Sequence, residues 1–239
     1  MPLDVDGIRA QLPGRLVLWR ETVESTMIDA RGHAAGTLVV AEEQTAGQGR
    51  LGRKWHSERE AGLYVSTVLR LAMQPVVVLA LGLAAAEAIA AATGIKCDLR
   101  WPNDVLIGER KCAGILVQKE GEALIAGIGI NVNQTALPPE IADTATSLRM
   151  ASGRAHSREE ILVELAHAID RYGNMLEADG PGPILERFAR ASSYAAGKRV
   201  VVDGRLVGTT AGLDPAGFLR LKKDDGTEEV ILAGGVRPE

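Results

Sequence analysis

Aromatic residues are scarce in this chain of 239 residues, at 3% of the sequence. A chain with so few large rings must build its core mainly from Ala, Val, Leu and Ile. The hydrophobic share is nevertheless 46%, which excludes an intrinsically disordered chain. The length suits one large domain and a small one.

The sequence also lacks an excess of positive charge, since its formal net charge is −4 at pH 7. A domain that binds nucleic acid through the phosphate backbone usually has a basic surplus, so we expect no nucleic-acid partner. The apolar run 76–86 has only 11 residues before Glu87 interrupts it. A membrane span needs about 20, so we predict a buried helix there and no membrane partner.

Cysteine and histidine are too few and too scattered for a disulfide framework or a zinc site. There are two cysteines, Cys97 and Cys112, and four histidines, and no zinc-like spacing joins them. The chain opens without a charged and then apolar leader. We therefore expect a cytoplasmic protein in which both thiols are reduced and have structural roles.

Strands and helices alternate over most of the chain. The pattern predicts strands at 15–21, 37–43 and 62–70, and a helix from Pro75 to about Thr93. A meander of three strands follows the helix. This order predicts an α+β fold with a mixed central β-sheet and flanking helices.

The character of the sequence changes near its C-terminal end. Ser157 and Glu160 form a capping box that opens a long helix, and a shorter helix follows. Beyond these, the Asp203-Gly204 and Asp225-Gly226 pairs lie between short apolar runs and predict hairpins. We predict a large domain over 1–192 and a small SH3-like β-barrel over 193–239.

A glycine-rich loop follows the second predicted strand and fits G-x-G-x-x-G at 47–52. A dinucleotide site also needs a helix that opens within the loop and an acid about 20 residues later, and neither is present. The strings of a Walker A loop and of a protein kinase are also absent. The loop holds Arg50, Arg53 and Lys54 among glycines, which suits either an anionic ligand that orders the loop or a solvated surface turn.

The second informative segment reads Trp101-Pro102-Asn103-Asp104 and is followed by Lys111. If Gly108-Glu109 is a two-residue turn, Asp104 pairs with Ala113 and shares a sheet face with Lys111. A three-residue turn would place the two charges on opposite faces. Such a pair is a candidate for chemistry or a surface ion pair, worth roughly 0–1 kcal/mol.

The third segment, GIGINVNQ at 127–134, combines small residues with amides. Small residues at a strand end let a flat ring approach, and Asn131 and Asn133 offer both donors and acceptors. Taken alone, the string also suits a tight turn.

Together, these segments resemble the biotin protein ligase family, which shares its fold with lipoate ligases. The matching strings are EST (24–26), EEQTAGQGRLGRKW (42–55), RWPNDVLI (100–107), RKCAGILVQ (110–118) and GIGINVN (127–133). The resemblance extends over nearly the whole chain. It implies an enzyme that joins biotin to AMP using ATP and Mg²⁺, and passes the biotin to a lysine of a biotin carboxyl carrier protein.

The resemblance also assigns roles to particular residues. It implies a biotin pocket formed by Ser25, Thr26, Met27, Gln44, Gln48, Gly49, Arg50, Lys111 and Gly114. It implies a nucleotide side formed by Arg50, Arg53, Trp55, Asn103, Lys111 and Asn131. The implied catalytic residues are Lys111, Arg50 and Asp104; Asp104 is a candidate to accept or orient the amine proton and is the candidate metal ligand.

Two positions depart from the family pattern. The loop usually reads GRGR, whereas here it reads GQGR, so Gln48 lacks one positive charge. The residue after Ser-Thr is often Asn, whereas here it is Met27, which removes a polar contact.

Only about fourteen residues precede the first predicted strand, too few for a helix-turn-helix domain. The resemblance therefore implies a ligase without a DNA-binding repressor function, and the family expectation is a homodimer through a sheet edge. Three alternatives stay open: a lipoate or fatty-acid ligase of the same fold, a nicotinamide-dependent oxidoreductase, and a non-catalytic biotin-binding module. The group of Arg50, Lys111 and Asp104 argues against passive binding.

Overall fold

Two β-sheets of different size organise the chain in the computed structural model, which describes residues 1–239. The elements, in chain order, are α1 (Val5–Gln11), β1 (Val17–Val23), α2 (Thr26–Asp29), β2 (Leu38–Gln44), β3 (Leu63–Leu69), α3 (Pro75–Thr93), β4 (Asp98–Arg100), β5 (Asp104–Ile107), β6 (Arg110–Glu120), β7 (Ala123–Ile130), α4 (Leu148–Ser152), α5 (Arg158–Asp179), α6 (Gly182–Ala191), β8 (Ala196–Val202), β9 (Leu206–Leu213), β10 (Leu219–Lys222), β11 (Glu228–Ile231) and β12 (Val236–Pro238).

The large sheet has seven strands in the order β1-β2-β3-β7-β6-β5-β4. Strands β1 and β2 are parallel, and every other neighbouring pair is antiparallel. The predicted mixed sheet and the predicted meander, now β5-β6-β7, are therefore both confirmed. Helices α3 and α5 pack against each other and join the sheet in one hydrophobic core.

The two faces of the large sheet pack against different parts of the protein, as the side chains of strand β7 show. Ala126, Ile128 and Ile130 point into the core beneath the helices. Ile125 alternates onto the opposite face, where it packs in a small cluster with Met27 of α2. Because side chains alternate along a strand, Gly127 and Gly129 lie on this second face. The glycines leave an open space on the sheet beside α2.

Helix α3 spans Pro75–Thr93, as predicted. Pro75 lies at the first helical position, where its missing N–H costs nothing. The helix ends at Gly94, which adopts φ 77°, a left-handed conformation that favours glycine. By length and composition alone the helix could cross a membrane, but 67% of its apolar window is buried inside the protein.

The second sheet has five antiparallel strands in the order β11-β10-β9-β8-β12. Its edge strands β11 and β12 are not hydrogen-bonded to each other, so the sheet does not close and the predicted SH3-like barrel is not confirmed. Val200, Leu219 and Leu221 of this sheet belong to the same hydrophobic cluster as the large sheet. The boundary between 192 and 193 stays a prediction.

Two elements of the fold, helix α1 and strand β4, were not predicted from the sequence. Helix α1 begins after Asp4, whose carboxylate accepts a hydrogen bond from the Gly7 amide. Strand β4 pairs with β5 and places Arg100 directly opposite Asp104. The pairing of β4 with β5 therefore brings the positive charge of Arg100 close to Asp104.

Candidate active site

A pocket opens on the α2 face of the large sheet, above the strand glycines. It encloses about 440 Å³ of empty space, part of it open to solvent. The lining residues are Ser25, Thr26, Met27, Gln44, Gln48, Gly49, Arg50, Trp55, Val65, Asn103, Lys111, Gly114, Ile115, Leu116, Gly127, Ile128 and Gly129. The three informative sequence segments therefore meet in one place, together with Ser25–Met27 and Val65.

The floor of the pocket consists of glycines that admit no side chain. A Cβ atom on Gly114 would lie 2.8 Å from the Lys111 Nζ, and one on Gly127 would lie 2.7 Å from the Met27 Sδ. A Cβ on Gly129 would overlap the indole of Trp55. Such approaches are far inside van der Waals contact, so the flat Trp55 ring and the Met27 side chain lie directly on the strand backbone.

One end of the pocket is polar and uncharged, and its side chains are hydrogen-bonded to one another. The Gln44 side-chain oxygen accepts hydrogen bonds from the Thr26 amide at 2.9 Å and from its hydroxyl at 3.1 Å. The Gln44 amide nitrogen donates to the Ser57 hydroxyl at 2.9 Å. The Thr26 hydroxyl also lies 2.8 Å from the Ser66 hydroxyl. This network fixes the donors and acceptors before any ligand arrives.

The short helix α2 carries Thr26 at this end of the pocket. A side chain within the same segment caps the first turn of the helix. Ser25 is extended and its hydroxyl accepts a hydrogen bond from the Met27 amide, as an N-cap residue does. Ser25 therefore caps α2, which is only four residues long. Met27, which replaces the usual Asn of the family pattern, is 4% exposed and forms part of the apolar wall.

The glycine-rich loop folds back on itself as a small hairpin over the pocket. The Gly49 amide donates to the Arg53 carbonyl at 2.7 Å, and the Trp55 amide donates to the Gly47 carbonyl at 2.8 Å. Leu51 at its tip has φ 56° and is exposed. No α-helix opens within the loop, so the fold does not support the dinucleotide interpretation of G-x-G-x-x-G. That the loop moves on ligand binding stays a prediction.

Arg50 points from this loop into the pocket. Its Nη1 donates to the Asn103 side-chain oxygen at 3.0 Å, and the Asn103 Nδ2 in turn donates to the Ile115 carbonyl of β6 at 3.0 Å. Burial lowers the pKa of the Arg50 guanidinium, while the nearby carboxylates of Asp104 and Asp203 act to raise it. Arginine keeps its charge under such conditions, so a half-buried cation faces the pocket.

Lys111 supplies a second cation at the same end. Its Nζ lies 2.5 Å from the Asp104 Oδ1, and the other oxygen of Asp104 accepts a hydrogen bond from the Arg100 Nη2 at 2.8 Å. The predicted two-residue turn is confirmed, since Ile107 pairs with Arg110. The predicted pairing of Asp104 with Ala113 is wrong.

The reason for that error is a β-bulge. The register shifts between Val105 and Leu106, so that Asp104 lies opposite Gly114. The extra residue in β6 is Cys112, which has no partner in the ladder. The shift sets Lys111, Asp104 and Gly114 beside one another at the pocket.

Asp104 is held as an anion between two cations. Burial acts to raise the pKa of its carboxyl, but Lys111 and Arg100 outweigh burial, and the pKa lies below its ordinary value. Both oxygens of Asp104 face cations, which suits a role in positioning Lys111. Its roles as proton acceptor and metal ligand stay predictions. No group of three or more His, Cys, Asp or Glu side chains that could hold a metal ion occurs in the structure.

Two predicted nucleotide-side residues lie outside the pocket. Asn131 is 5% exposed and its Nδ2 donates to the Thr146 carbonyl at 3.1 Å. Arg53 is exposed at the base of the hairpin. Gln48, the residue that replaces an arginine of the family pattern, does line the pocket and lies 3.5 Å from the Gln118 Nε2.

Sequence reasoning missed three residues of the site: Ser57, Ser66 and Arg100. Ser66 is fully buried on β3, and a lone serine within an apolar strand was its only signal. Arg100 lies four residues before Asp104, a spacing that becomes informative only if a β-hairpin is predicted at Trp101–Asn103.

Both cysteines are free thiols. Cys112 is fully buried, and the neighbouring Cys97 thiol together with burial raises the pKa of Cys112 well above its usual value. A thiol that stays protonated is a weak nucleophile. This agrees with the structural role expected for the pair.

Comparison with known proteins identifies the family. The chain matches the biotin/lipoate A/B protein ligase family over residues 14–134. It is 34% identical to the bifunctional ligase/repressor BirA of Bacillus spizizenii, over 95% of this chain and 75% of that protein. It is 33% identical to the biotin–[acetyl-CoA-carboxylase] ligase of Mycobacterium tuberculosis, over 98% of this chain and 94% of that protein.

A solved structure agrees with these sequence matches. The biotin protein ligase from Aquifex aeolicus in complex with biotin and ATP matches with a TM-score of 0.85 and 33% identity, covering 92% of this chain and 97% of that one. An α+β fold of this kind, with a glycine-floored pocket and two convergent cations, defines the ligase class. The chain belongs to the biotin/lipoate A/B protein ligase family.

Proposed function

We propose that this protein is an ATP-dependent biotin–protein ligase. It activates biotin to biotinyl-5'-AMP with release of pyrophosphate, and it then transfers the biotinyl group to a lysine of a biotin carboxyl carrier protein. The observation that supports this most directly is the convergence of Arg50 and Lys111 on one glycine-floored pocket. A relative of 33% identity is named biotin–[acetyl-CoA-carboxylase] ligase, and the matched Aquifex structure is a complex with biotin and ATP.

The first step brings together two anions, the biotin carboxylate and the ATP phosphates. This explains why two cations, Arg50 and Lys111, face the pocket. A carboxylate oxygen of biotin attacks the α-phosphorus of ATP, the bond to the β-phosphate oxygen breaks, and pyrophosphate leaves. Arg50 and Lys111 lower the repulsion between carboxylate and phosphate and stabilise charge that develops at phosphorus. Because both are anchored, to Asn103 and Asp104, they need little rearrangement when the substrates bind.

The second step transfers the acyl group. The neutral amine of the acceptor lysine attacks the acyl carbon, the bond from that carbon to the phosphate oxygen breaks, and AMP leaves with its electron pair. The proton that the amine nitrogen loses passes to the departing phosphate or to water. Asp104 orients Lys111 in this scheme and takes no proton, because its pKa is lowered and both oxygens are engaged. Lys111 remains beside the phosphate and stabilises the departing AMP.

The two ends of the pocket suit the two ends of the adenylate. The polar network of Ser25, Thr26 and Gln44 matches the ureido ring of biotin, which has both N–H donors and a carbonyl acceptor. The Gly114 backbone lies against the acyl chain. Trp55 and Asn103 are on the nucleotide side. Arg53 would join it only if the loop rearranges, and Asn131 only if its hydrogen bond to the Thr146 carbonyl is released. Mg²⁺ enters as part of the ATP substrate, since the protein offers no carboxylate cluster to hold it.

The remaining parts of the proposal concern partners. The acceptor is a lysine on a biotin carboxyl carrier domain. A cytoplasmic location and a homodimer through an edge of the large sheet complete it. A five-stranded sheet of SH3-like size accompanies the ligase domain as a separate domain that begins at 193.

The test is a ligand-dependent exchange assay with the purified protein. Biotin should support exchange of labelled pyrophosphate into ATP, while lipoate and octanoate should not. Addition of a biotin carboxyl carrier domain should then yield a biotinylated lysine and AMP. Exchange with lipoate alone would replace biotin by lipoate in the proposal, and no exchange with any of the three acids would refute a ligase.

A further inference from the structure

The guanidinium of Arg50 makes a second contact, and this one reaches the C-terminal sheet. Its Nη1 donates to the Gly234 carbonyl at 3.4 Å. Gly234 lies 184 residues away in sequence, in the connection between β11 and β12. The loop that covers the pocket is therefore held from two sides, by Asn103 of the large sheet and by the C-terminal sheet.

Asp203 fixes the position of that carbonyl. Its carboxylate accepts a hydrogen bond from the Gly235 amide at 2.7 Å, and its own amide donates to the Gly235 carbonyl at 3.0 Å. A Cβ atom on Gly234 would lie 2.7 Å from the Asp203 Oδ2, so only glycine allows this approach. Asp203 itself has φ 49°, a left-handed conformation that Asp and Asn tolerate better than most residues.

Asp203 also contributes charge. Two carboxylates act on the Arg50 guanidinium, Asp104 from the large sheet and Asp203 from the C-terminal sheet, whereas Arg53 of the loop opposes them. Arg50 is half-buried but Asp203 is exposed, so solvent screens part of this attraction. The C-terminal sheet thus offers Arg50 both a fixed acceptor and a negative potential.

We propose that the C-terminal sheet holds the loop closed over the adenylate, with Asp203 as the positioning residue that aims the Gly234 carbonyl at Arg50. The proposal rests on the proposed ligase function, since retention of biotinyl-AMP is what a closed loop provides. A closed loop keeps water from a reactive acyl phosphate until the acceptor arrives. The C-terminal sheet is then part of the reaction cycle and not only a structural appendage.

Two substitutions separate the charge of Asp203 from its hydrogen bond. Asp203→Asn keeps the acceptor for the Gly235 amide and tolerates the backbone conformation, but it removes the charge. Asp203→Gly tolerates the conformation and removes both. Asp225→Asn is the matched control, because Asp225 precedes the glycine of the other Asp-Gly turn and bonds only to Thr227.

Two readouts are needed for each variant. One is the rate at which preformed biotinyl-AMP leaves the protein, and the other is the rate of tryptic cleavage after Arg50, Arg53 and Lys54 in the protein without ligands. We expect Asp203→Asn to accelerate both rates about threefold to tenfold and Asp203→Gly to accelerate them further. Asp225→Asn should match the wild-type protein.

The outcomes discriminate between the two proposals. Wild-type rates of release and cleavage in Asp203→Asn and Asp203→Gly, at unchanged melting temperature, would overturn the role of Asp203. If Asp203→Gly is destabilised, the rates of all variants are compared at a temperature at which Asp203→Gly is fully folded. If the wild-type protein forms no biotinyl-AMP, the ligase function fails, while the cleavage rates of the unliganded proteins still report whether Asp203 holds the loop.

Discussion

The two ends of the pocket are built on different principles. At the polar end, Thr26, Gln44 and Ser57 hydrogen-bond to one another, and the side chains are neutral. At the charged end, Arg50 and Lys111 meet carboxylates and carbonyls that come from distant parts of the chain. The polar end is a pre-formed recognition surface. The charged end is a pair of cations whose positions depend on the loop and on the C-terminal sheet.

This difference separates binding from chemistry. A neutral hydrogen-bond network interacts equally with substrate and transition state, so its loss should raise KM and leave kcat nearly unchanged. Cations that face the reacting phosphorus act mainly where charge develops, so their loss should lower kcat. Substitutions at the two ends should therefore have distinct kinetic signatures.

The largest effect is expected at Lys111. Lys111→Ala should lower the rate of biotinyl-AMP formation about 10²–10³-fold, because one fixed cation at the reacting phosphorus is lost. Pyrophosphate exchange measures this rate. Lys119→Ala, at an exposed lysine on the same strand, is the control and should keep full activity. Comparable exchange rates for the two variants would remove Lys111 from the mechanism.

Arg100 should affect the pH dependence of the reaction. Asp104 must be ionised to hold Lys111, and Arg100 helps to keep the pKa of Asp104 low. In Arg100→Gln that pKa rises, so on acidification activity should be lost at a higher pH than in the wild-type protein. A kcat–pH profile measures the shift, and Arg110→Gln, at an exposed arginine, should not move it. An unchanged acid limb in Arg100→Gln would show that ionised Asp104 is not required.

Thr26 tests the polar end. Thr26→Val keeps the shape but removes a hydroxyl that bonds to both Gln44 and Ser66, at a cost of about 1–3 kcal/mol. We expect KM for biotin to rise about tenfold or more while kcat changes less than about twofold. Thr22→Val on β1 is an exposed control. A large fall in kcat would contradict the division between the two ends.

The smallest effect is expected at Arg53, which the sequence assigns to the nucleotide side but the structure leaves exposed. Arg53→Ala should raise KM for ATP less than about threefold, as expected for a solvated charge without an ion partner. Initial rates at varied ATP concentration measure it. An effect as large as that of Lys111→Ala would mean that the loop rearranges and carries Arg53 into the site.

Features with a local cause could be predicted from the sequence. Pro75 and Gly94 bound helix α3, and the Gly108-Glu109 turn sets the first pairs of β5 with β6, because each signal is a conformational preference of one or two residues. The segments that line the pocket were recognised as strings, but their meeting could not be derived from composition or periodicity. The small residues of 127–134 did predict that a flat ring could approach the strand end, and the Trp55 indole lies against Gly129.

Features that depend on long-range packing could not be predicted. The bulge at Cys112 moves Asp104 from Ala113 to Gly114, and no turn signal marks it. The contact of Arg50 with Gly234 joins residues from two sheets. The two hairpins of the C-terminal sheet were predicted through their Asp-Gly pairs, whereas its failure to close depends on how β11 and β12 are placed by the rest of the core.

The most direct test of the account is a crystal structure of the protein with a non-hydrolysable analogue of biotinyl-AMP. In that structure the phosphoryl group of the analogue should lie within about 3.5 Å of both the Lys111 ammonium and the Arg50 guanidinium. The ureido ring should lie against Thr26 and Gln44. An analogue bound with its phosphoryl group away from both cations would contradict it.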